Sequence, residues 1–280
     1  MSILKSVKIS NTPKGESGEP WVSQILQYDR HGRELANYQY SAPGVFESKT
    51  EYRYDENGRL LEETTYQDEH EIAERKTFQL DPAGEPERIS IDFNDGSQSF
   101  RIRVKDPDNR TENWIEQDED GEQENRECKT FDAEGNLLLK EVYDHRDKLT
   151  EAFEYEHNAS KQVVRRLQLD NRKKLVIETR FSYTTGGLLE LRANYNRKGQ
   201  LSDFIKIEYD DHGRVFRQNI SNKFFFEFEY DQNGNTIVEE RYTGEELEHR
   251  TTYSYDKNNR VVLEEHPDMI REFTYEYYQD

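Results

Sequence analysis

Along most of this chain, apolar and polar residues alternate with a period of two. Leu60, Glu62, Thr64 and Tyr66 fall on one side of an extended backbone, with Leu61, Glu63 and Thr65 on the other. The stretch from Leu175 to Tyr183 repeats the arrangement, and Phe224, Phe226, Phe228 and Tyr230 give it most strongly. Strands turn successive side chains to opposite faces and favour aromatic and β-branched residues, so each such segment reads as a strand. No segment carries an apolar stripe at the helical period.

The breaks between strands share a sequence. Tyr28-Asp29-Arg30-His31-Gly32, Tyr54-Asp55-Glu56-Asn57-Gly58, Phe131-Asp132-Ala133-Glu134-Gly135, Tyr209-Asp210-Asp211-His212-Gly213 and Tyr230-Asp231-Gln232-Asn233-Gly234 are one pattern, and Tyr255-Asp256-Lys257-Asn258-Asn259 is the same with Asn for Gly. Weaker copies open at Tyr40, Tyr66, Tyr143, Tyr155, Leu169, Tyr183, Tyr195 and Tyr242. Steps of 12 and 14 residues alternate, as in 28, 40, 54, 66, 80, so strong copies recur every 26. The Asp carboxylate can accept N–H bonds from the next residues, and Gly takes the left-handed conformation that closes a tight hairpin. Tyr28, Asp29, Gly32, Tyr54, Asp55, Gly58, Asp132, Gly135, Tyr209, Asp210, Gly213, Tyr230, Asp231 and Gly234 are therefore the candidate turn residues. The pattern predicts an all-β protein, a long antiparallel meander of about 18–20 strands in a curved or spiralling sheet. Residues 1–20 read as an N-terminal segment and loop, and 21–280 as a single repeat domain. The repeats degenerate over 84–127, where Pro82, Pro86 and Pro107 interrupt, though the turn spacing continues.

These units resemble the YD repeats of the bacterial RHS family, whose unit is Tyr-Asp-x-x-Gly-Arg-Leu followed by a strand. Tyr54-Asp55-Glu56-Asn57-Gly58-Arg59-Leu60 matches at every defined position, and the copy at Tyr209 differs by Val215 for Leu. The resemblance covers 28–80 and 131–280. It implies hairpins in a spiralling sheet, which in long members becomes a hollow shell around a toxin polypeptide. This chain reads as a short, toxin-less, stand-alone member, too short for a large shell and ending within the repeats.

Composition narrows the function. The 59 acidic residues outnumber the 39 Lys and Arg, a formal charge of −20. That balance speaks against nucleic acid and anionic membranes and favours a protein partner with a basic face. Asp118, Glu119, Asp120, Glu122 and Glu124 concentrate the charge and are the candidate protein-binding residues. Eighteen Tyr and 14 Phe supply a core and speak against disorder. Cys128 is the only cysteine, which excludes an intramolecular disulfide and a cysteine zinc site. The start lacks a secretory pattern and no run is apolar enough to span a bilayer, so a cytoplasmic location is expected.

Catalytic patterns are missing. His70-Glu71-Ile72-Ala73-Glu74 has Glu where the zinc motif needs its second His. Asp118-Glu119-Asp120-Gly121 and Asp231-Gln232-Asn233-Gly234 look like pieces of calcium loops, but turn carboxylates account for both. Adjacent pairs such as Glu62 and Glu63 point to opposite faces. The expected function is a non-catalytic binding or scaffold protein without cofactor or metal, presenting an acidic sheet surface to another protein. Two alternatives stand beside it. One is a toxin-neutralising or chaperone-like protein of an RHS system, implied only by the resemblance. The other is a carbohydrate-binding module using exposed Tyr rows. An open last strand, Arg271–Asp280, would form homo-oligomers through its edge or be covered by residues 1–10.

Overall fold

The structure, a computed structural model, describes residues 3–15 and 18–279. It contains 22 strands, and no helix occurs among the described residues. The first seven are β1 (Leu4–Pro13), β2 (Trp21–Tyr28), β3 (Glu34–Ser41), β4 (Val45–Tyr54), β5 (Leu60–Tyr66), β6 (Ile72–Leu80) and β7 (Pro86–Phe93). Then follow β8 (Gln98–Asp106), β9 (Thr111–Asp118), β10 (Gln123–Phe131), β11 (Leu137–Tyr143), β12 (Leu149–His157), β13 (Val163–Asp170) and β14 (Leu175–Tyr183). The rest are β15 (Leu189–Asn196), β16 (Leu201–Tyr209), β17 (Val215–Ile220), β18 (Phe224–Tyr230), β19 (Thr236–Thr243), β20 (Glu246–Tyr255), β21 (Val261–Glu265) and β22 (Met269–Tyr277). This exceeds the strand number expected from turn counting. The degenerate segment keeps regular strands, with Pro86 at the first position of β7 and Pro107 in a turn, where no ladder N–H is needed. Residues 4–13, expected to be an N-terminal segment entering a loop, form β1.

One local device makes the hairpins. The Asp29 N–H donates to the Arg33 carbonyl (2.9 Å), and the Gly32 N–H donates back to the Asp29 carbonyl (3.1 Å). The Asp29 carboxylate accepts the N–H groups of His31 (2.8 Å) and Arg33 (3.0 Å). Asp55, Asp132, Asp210 and Asp231 do the same, as do Asn158 and Asn196. Gly32, Gly58, Gly135, Gly213 and Gly234 hold φ between 77° and 87°, the left-handed region that closes the turn. The ladder slips by one residue at the aromatic, between Gln27 and Tyr28, Arg53 and Tyr54, and Glu208 and Tyr209. Each tight turn thus carries a one-residue bulge.

The chain divides into two compact units. Unit 1 comprises 1–98, 228–240 and 247–280, and unit 2 comprises 99–227 with 241–246. In unit 1, antiparallel pairing runs from β20 through β21 and β22 to β1, then on through β2 to β7 in chain order. In unit 2 it runs from β8 to β18 in chain order.

Within unit 1, β1 corrects the expectation of a curved or spiralling sheet whose last strand is left open. It lies between β2 and β22, with Lys8 opposite Ile25 on one side and Thr274 on the other. Within unit 1 the first and last strands therefore satisfy each other's N–H and C=O groups. The row of unpaired groups expected along the last strand is absent. Of the two outcomes foreseen for it, the structure has the strand covered by the N-terminal segment.

The core is thin, as a chain with one apolar residue in every few must have. Val7, Ala36, Ala152, Leu169, Ala193 and Val238 are the buried apolar side chains, and small polar groups such as Thr64 and Thr179 are buried among them. Most rings are half-buried, and several of them are covered by cations. The Arg126 guanidinium lies 4.0 Å from the Tyr143 ring, Arg180 4.6 Å from Tyr195 and Arg217 4.0 Å from Phe225. Phe225 stacks on Tyr242 with centroids 4.9 Å apart. Such contacts favour both packing and solubility, since the charged head remains wet.

Candidate functional site

The repeat tyrosines are structural anchors. Tyr54 donates its hydroxyl to the Glu34 carbonyl (2.9 Å), Tyr183 to Val163 (2.6 Å), Tyr209 to Leu189 (2.7 Å), Tyr255 to Thr236 (2.7 Å) and Tyr275 to Val261 (2.7 Å). In every case but the last, the acceptor stands 20 or 19 residues upstream, where the preceding repeat enters its strand. Turns also touch their neighbours. Arg33 Nη1 donates to the Asp55 carbonyl (3.2 Å) and its guanidinium sits 5.1 Å from the Tyr54 ring. A ring whose hydroxyl is committed and whose face is half-covered is not free to stack on sugar. Tyr28 and Tyr230 are likewise half-buried.

The acidic run separates into two classes. Asp118 is the turn residue of the β9–β10 hairpin, its carboxylate accepting the N–H groups of Asp120 (3.1 Å) and Glu122 (2.8 Å). Glu116 lies 3.6 Å from Arg101, and Glu127 pairs with Lys129 (3.1 Å) and Lys140 (2.5 Å). Those two pairings, with burial opposing them, leave the Glu127 carboxyl below its ordinary pKa. Glu119, Asp120, Glu122 and Glu124 are exposed, and their carboxylates have no partner among the described residues. Asp118, Glu122 and Glu124 line a shallow concavity there with Gln123 and His145.

Of the next tips at this end of unit 2, the first is charge-balanced, its Asp144 and Asp147 offsetting Arg146 and Lys148, and the two after it are basic. The β11–β12 turn carries Arg146 and Lys148, the β13–β14 turn Arg172, Lys173 and Lys174, and the β15–β16 turn Arg197 and Lys198. All are exposed. Lys173 reaches Glu141 (3.0 Å), and Lys148, Arg172, Lys174, Arg197 and Lys198 have no ion-pair partner among the described residues. Strand charges behave differently. Arg165 holds Glu156 (2.7 Å) and Glu178 (2.8 Å), and Arg180 holds Glu178 (2.8 Å). Successive tips are two strand spacings apart, roughly 10 Å. Unit 2 therefore presents an acidic tip, a charge-balanced one and then two basic ones in succession.

A family model described as "Uncharacterised protein" matches residues 19–120. No curated protein matches the chain. Among solved structures, the chain is similar to the crystal structure of TcdB2-TccC3-TEV, at 14% identity and a TM-score of 0.45 over 87% of this chain and 15% of that one. A Photorhabdus luminescens Tc holotoxin pore gives 14% identity and 0.44, again over 87% of this chain and 15% of that one. A porin-like protein from Bacteroides uniformis gives 8% identity and 0.36, over 98% of each chain. The chain spans about 15% of the length of the two toxin chains.

Two features of the site escape a reading by composition. The basic tips are hidden in an acidic chain, although their signal is present as Lys or Arg at the same turn offset in copies 26 residues apart. The carboxylates of the turn Asp residues are consumed locally. Asp210 is drawn down to about 2, first by the Arg214 N–H and then by the Arg214 side chain. Paired with Arg214 at 2.7 Å, Asp210 adds little to a binding field. Among the described residues no group of three or more His, Cys, Asp or Glu is disposed to hold a metal ion.

Proposed function

We propose that this chain is a YD-repeat protein that works as a non-catalytic protein-binding scaffold, with the charged hairpin tips of unit 2 as its recognition surface. The repeat assignment rests on the Tyr-Asp-x-x-Gly units and on the shared bonding of their Tyr and Asp side chains. The carrying observation for the surface is that strand charges such as Arg165, Glu178 and Arg180 are spent in ion pairs, while Glu119, Asp120, Glu122, Glu124, Lys148, Arg172, Lys174, Arg197 and Lys198 at the tips are exposed with no ion-pair partner among the described residues. Charges held in reserve at protruding tips steer a partner of complementary pattern, a basic face against Glu119, Asp120, Glu122 and Glu124 and an acidic one against the following tips. At physiological salt, screening acts over about 8 Å, so only a partner docked at the tips senses each one separately.

The test is capture from the native cell by wild type and two variants. One carries Glu119→Gln, Asp120→Asn and Glu122→Gln, the other Lys148→Gln, Arg172→Gln and Lys174→Gln. Asp118 is left intact because its carboxylate holds the turn. A partner that is lost with either variant, and that wild type releases at high salt, supports the reading. A partner retained by both variants overturns it.

A further inference from the structure

Unit 1 carries a second feature, unrelated in position and chemistry to the hairpin tips. On the sheet face where Asn11 stands opposite Arg271 and Gln24 opposite Gln39, a concavity of about 270 Å³ opens, lined also by Tyr40 and Glu47. Asn11 is only 7% exposed. Its side-chain oxygen accepts a bond from Arg271 Nε (3.4 Å), and its NH2 group has no partner among the described residues. The Asn11 NH2 thus keeps its bonding capacity for whatever occupies the open concavity, a ligand or water.

The rest of the lining narrows the chemistry. The Arg271 charge is met by Glu264 at 3.1 Å. Gln24 donates its NH2 to Asn37 (3.0 Å), which leaves its carbonyl oxygen to accept. Gln39 and Glu47 are exposed, and neither side chain has a partner among the described residues. Tyr40 adds a half-buried ring, set edge-on to Phe46 with centroids 6.0 Å apart. Burial, and then nearby Tyr38 and Glu69, raise its pKa, so the hydroxyl stays neutral at physiological pH.

We propose that this concavity binds a neutral saccharide unit, with the Tyr40 ring as its apolar wall and Asn11, Gln24, Gln39 and Glu47 bonding its hydroxyls. An anion would meet Glu47 and find the only cation already paired. A cation would find Glu47 as the single free carboxylate of the lining, with the Arg271 guanidinium in the same concavity. An apolar ligand would strand several amide groups. Sugar hydroxyls both donate and accept, which suits amides and a carboxylate set around one ring. The volume lies at the low end of ligand pockets, roughly 300–1,000 Å³, and so suits one ring, free or at the end of a longer glycan.

The probes are the methyl glycosides of glucose, galactose, mannose and N-acetylglucosamine, titrated calorimetrically at millimolar concentration into the full chain. At least one is expected to bind saturably. The Gln39→Ala/Glu47→Ala double variant, altered only at exposed side chains, should fold as wild type by circular dichroism and bind about tenfold more weakly. No saturable binding of any glycoside, undiminished binding by the double variant, or tighter binding of methyl glucuronide would each overturn the proposal. Because the tip variants of unit 2 leave this face untouched, their outcome is independent of this one.

Discussion

Replacing Tyr209 by Phe removes one oxygen atom and isolates the anchor bond of a repeat. The lost bond is the 2.7 Å donation to the Leu189 carbonyl, and the half-buried ring remains in place. A hydrogen bond contributes about 0.5–1.5 kcal/mol net, and a partly wet site belongs near the middle of that range, so the expected cost is about 1 kcal/mol. Tyr209→Ala also deletes the ring, and since the site is only half-buried its cost should sit near the lower end of the large-to-small range, about 3 kcal/mol. Bonds at Tyr54, Tyr183, Tyr255 and Tyr275 have nearly the same length. If the costs of separated sites add, changing all five tyrosines to Phe removes about 5 kcal/mol. Domains hold only about 5–15 kcal/mol, so that variant should lose from about a third to all of its stability. The assay is urea unfolding followed by far-ultraviolet circular dichroism, comparing midpoints at constant slope. A Tyr209→Phe midpoint equal to wild type, together with a fivefold variant that unfolds normally, would refute the idea that these hydroxyls tie one repeat to the next. Water would then serve the carbonyls equally well.

Gly58→Val and Gly135→Val should each cost about 1–2 kcal/mol in the same titration, because both hold φ near 83°. An added Cβ at Gly58 meets only the flexible end of Arg33 at 3.3 Å and at Gly135 meets nothing, so unequal costs would show that side-chain crowding rather than backbone conformation decides. Acid should weaken the fold through its turns. Asp55, Asp170 and Asp210 have lowered pKa values, caused first by backbone N–H bonds to their carboxylates. Stability from a depressed carboxyl is complete above its unfolded value near 4 and is lost as pH falls through the folded one, about 2 for Asp210. Midpoints that stay constant from pH 5 to about pH 2 would contradict this. Deleting residues 1–13 should uncover the edges of β2 and β22, and light scattering should then show association that the full chain lacks. Burial pushes the Cys128 thiol up, so iodoacetamide should label it at least several-fold more slowly in the folded chain than in urea, and equal rates would contradict that.

The sequence by itself determined the hairpins. Tyr-Asp-x-x-Gly holds nearly everything a tight turn requires within five residues, a carboxylate to accept N–H groups and a residue for the left-handed position, so local chemistry is legible locally. The alternation around Leu60–Tyr66 and Leu175–Tyr183 is legible for the same reason, since a side chain's face depends only on its neighbours along the strand. Even the bulge at each tyrosine is implied by the Gly four residues on, once the turn type is recognised. Most of the remaining features depend on pairs distant in sequence. Nothing in Leu4–Pro13 announces that it will lie between β2 and β22, because the alternation of β1 fits any edge. Only the presence of two strands lacking a neighbour decided that, and it left neither β2 nor β22 with an open edge on that side. The site divides along the same line. Acidity was visible in the composition, but which carboxylates remain free depends on partners across strands, such as Arg101 for Glu116 and Lys140 for Glu127. The concavity at Asn11 joins residues up to 260 positions apart, because Arg271 reaches it only through the β1–β22 pairing. Turn chemistry acts over a few bonds and can be read from a few letters, whereas burial and pairing belong to whichever strands the fold sets side by side.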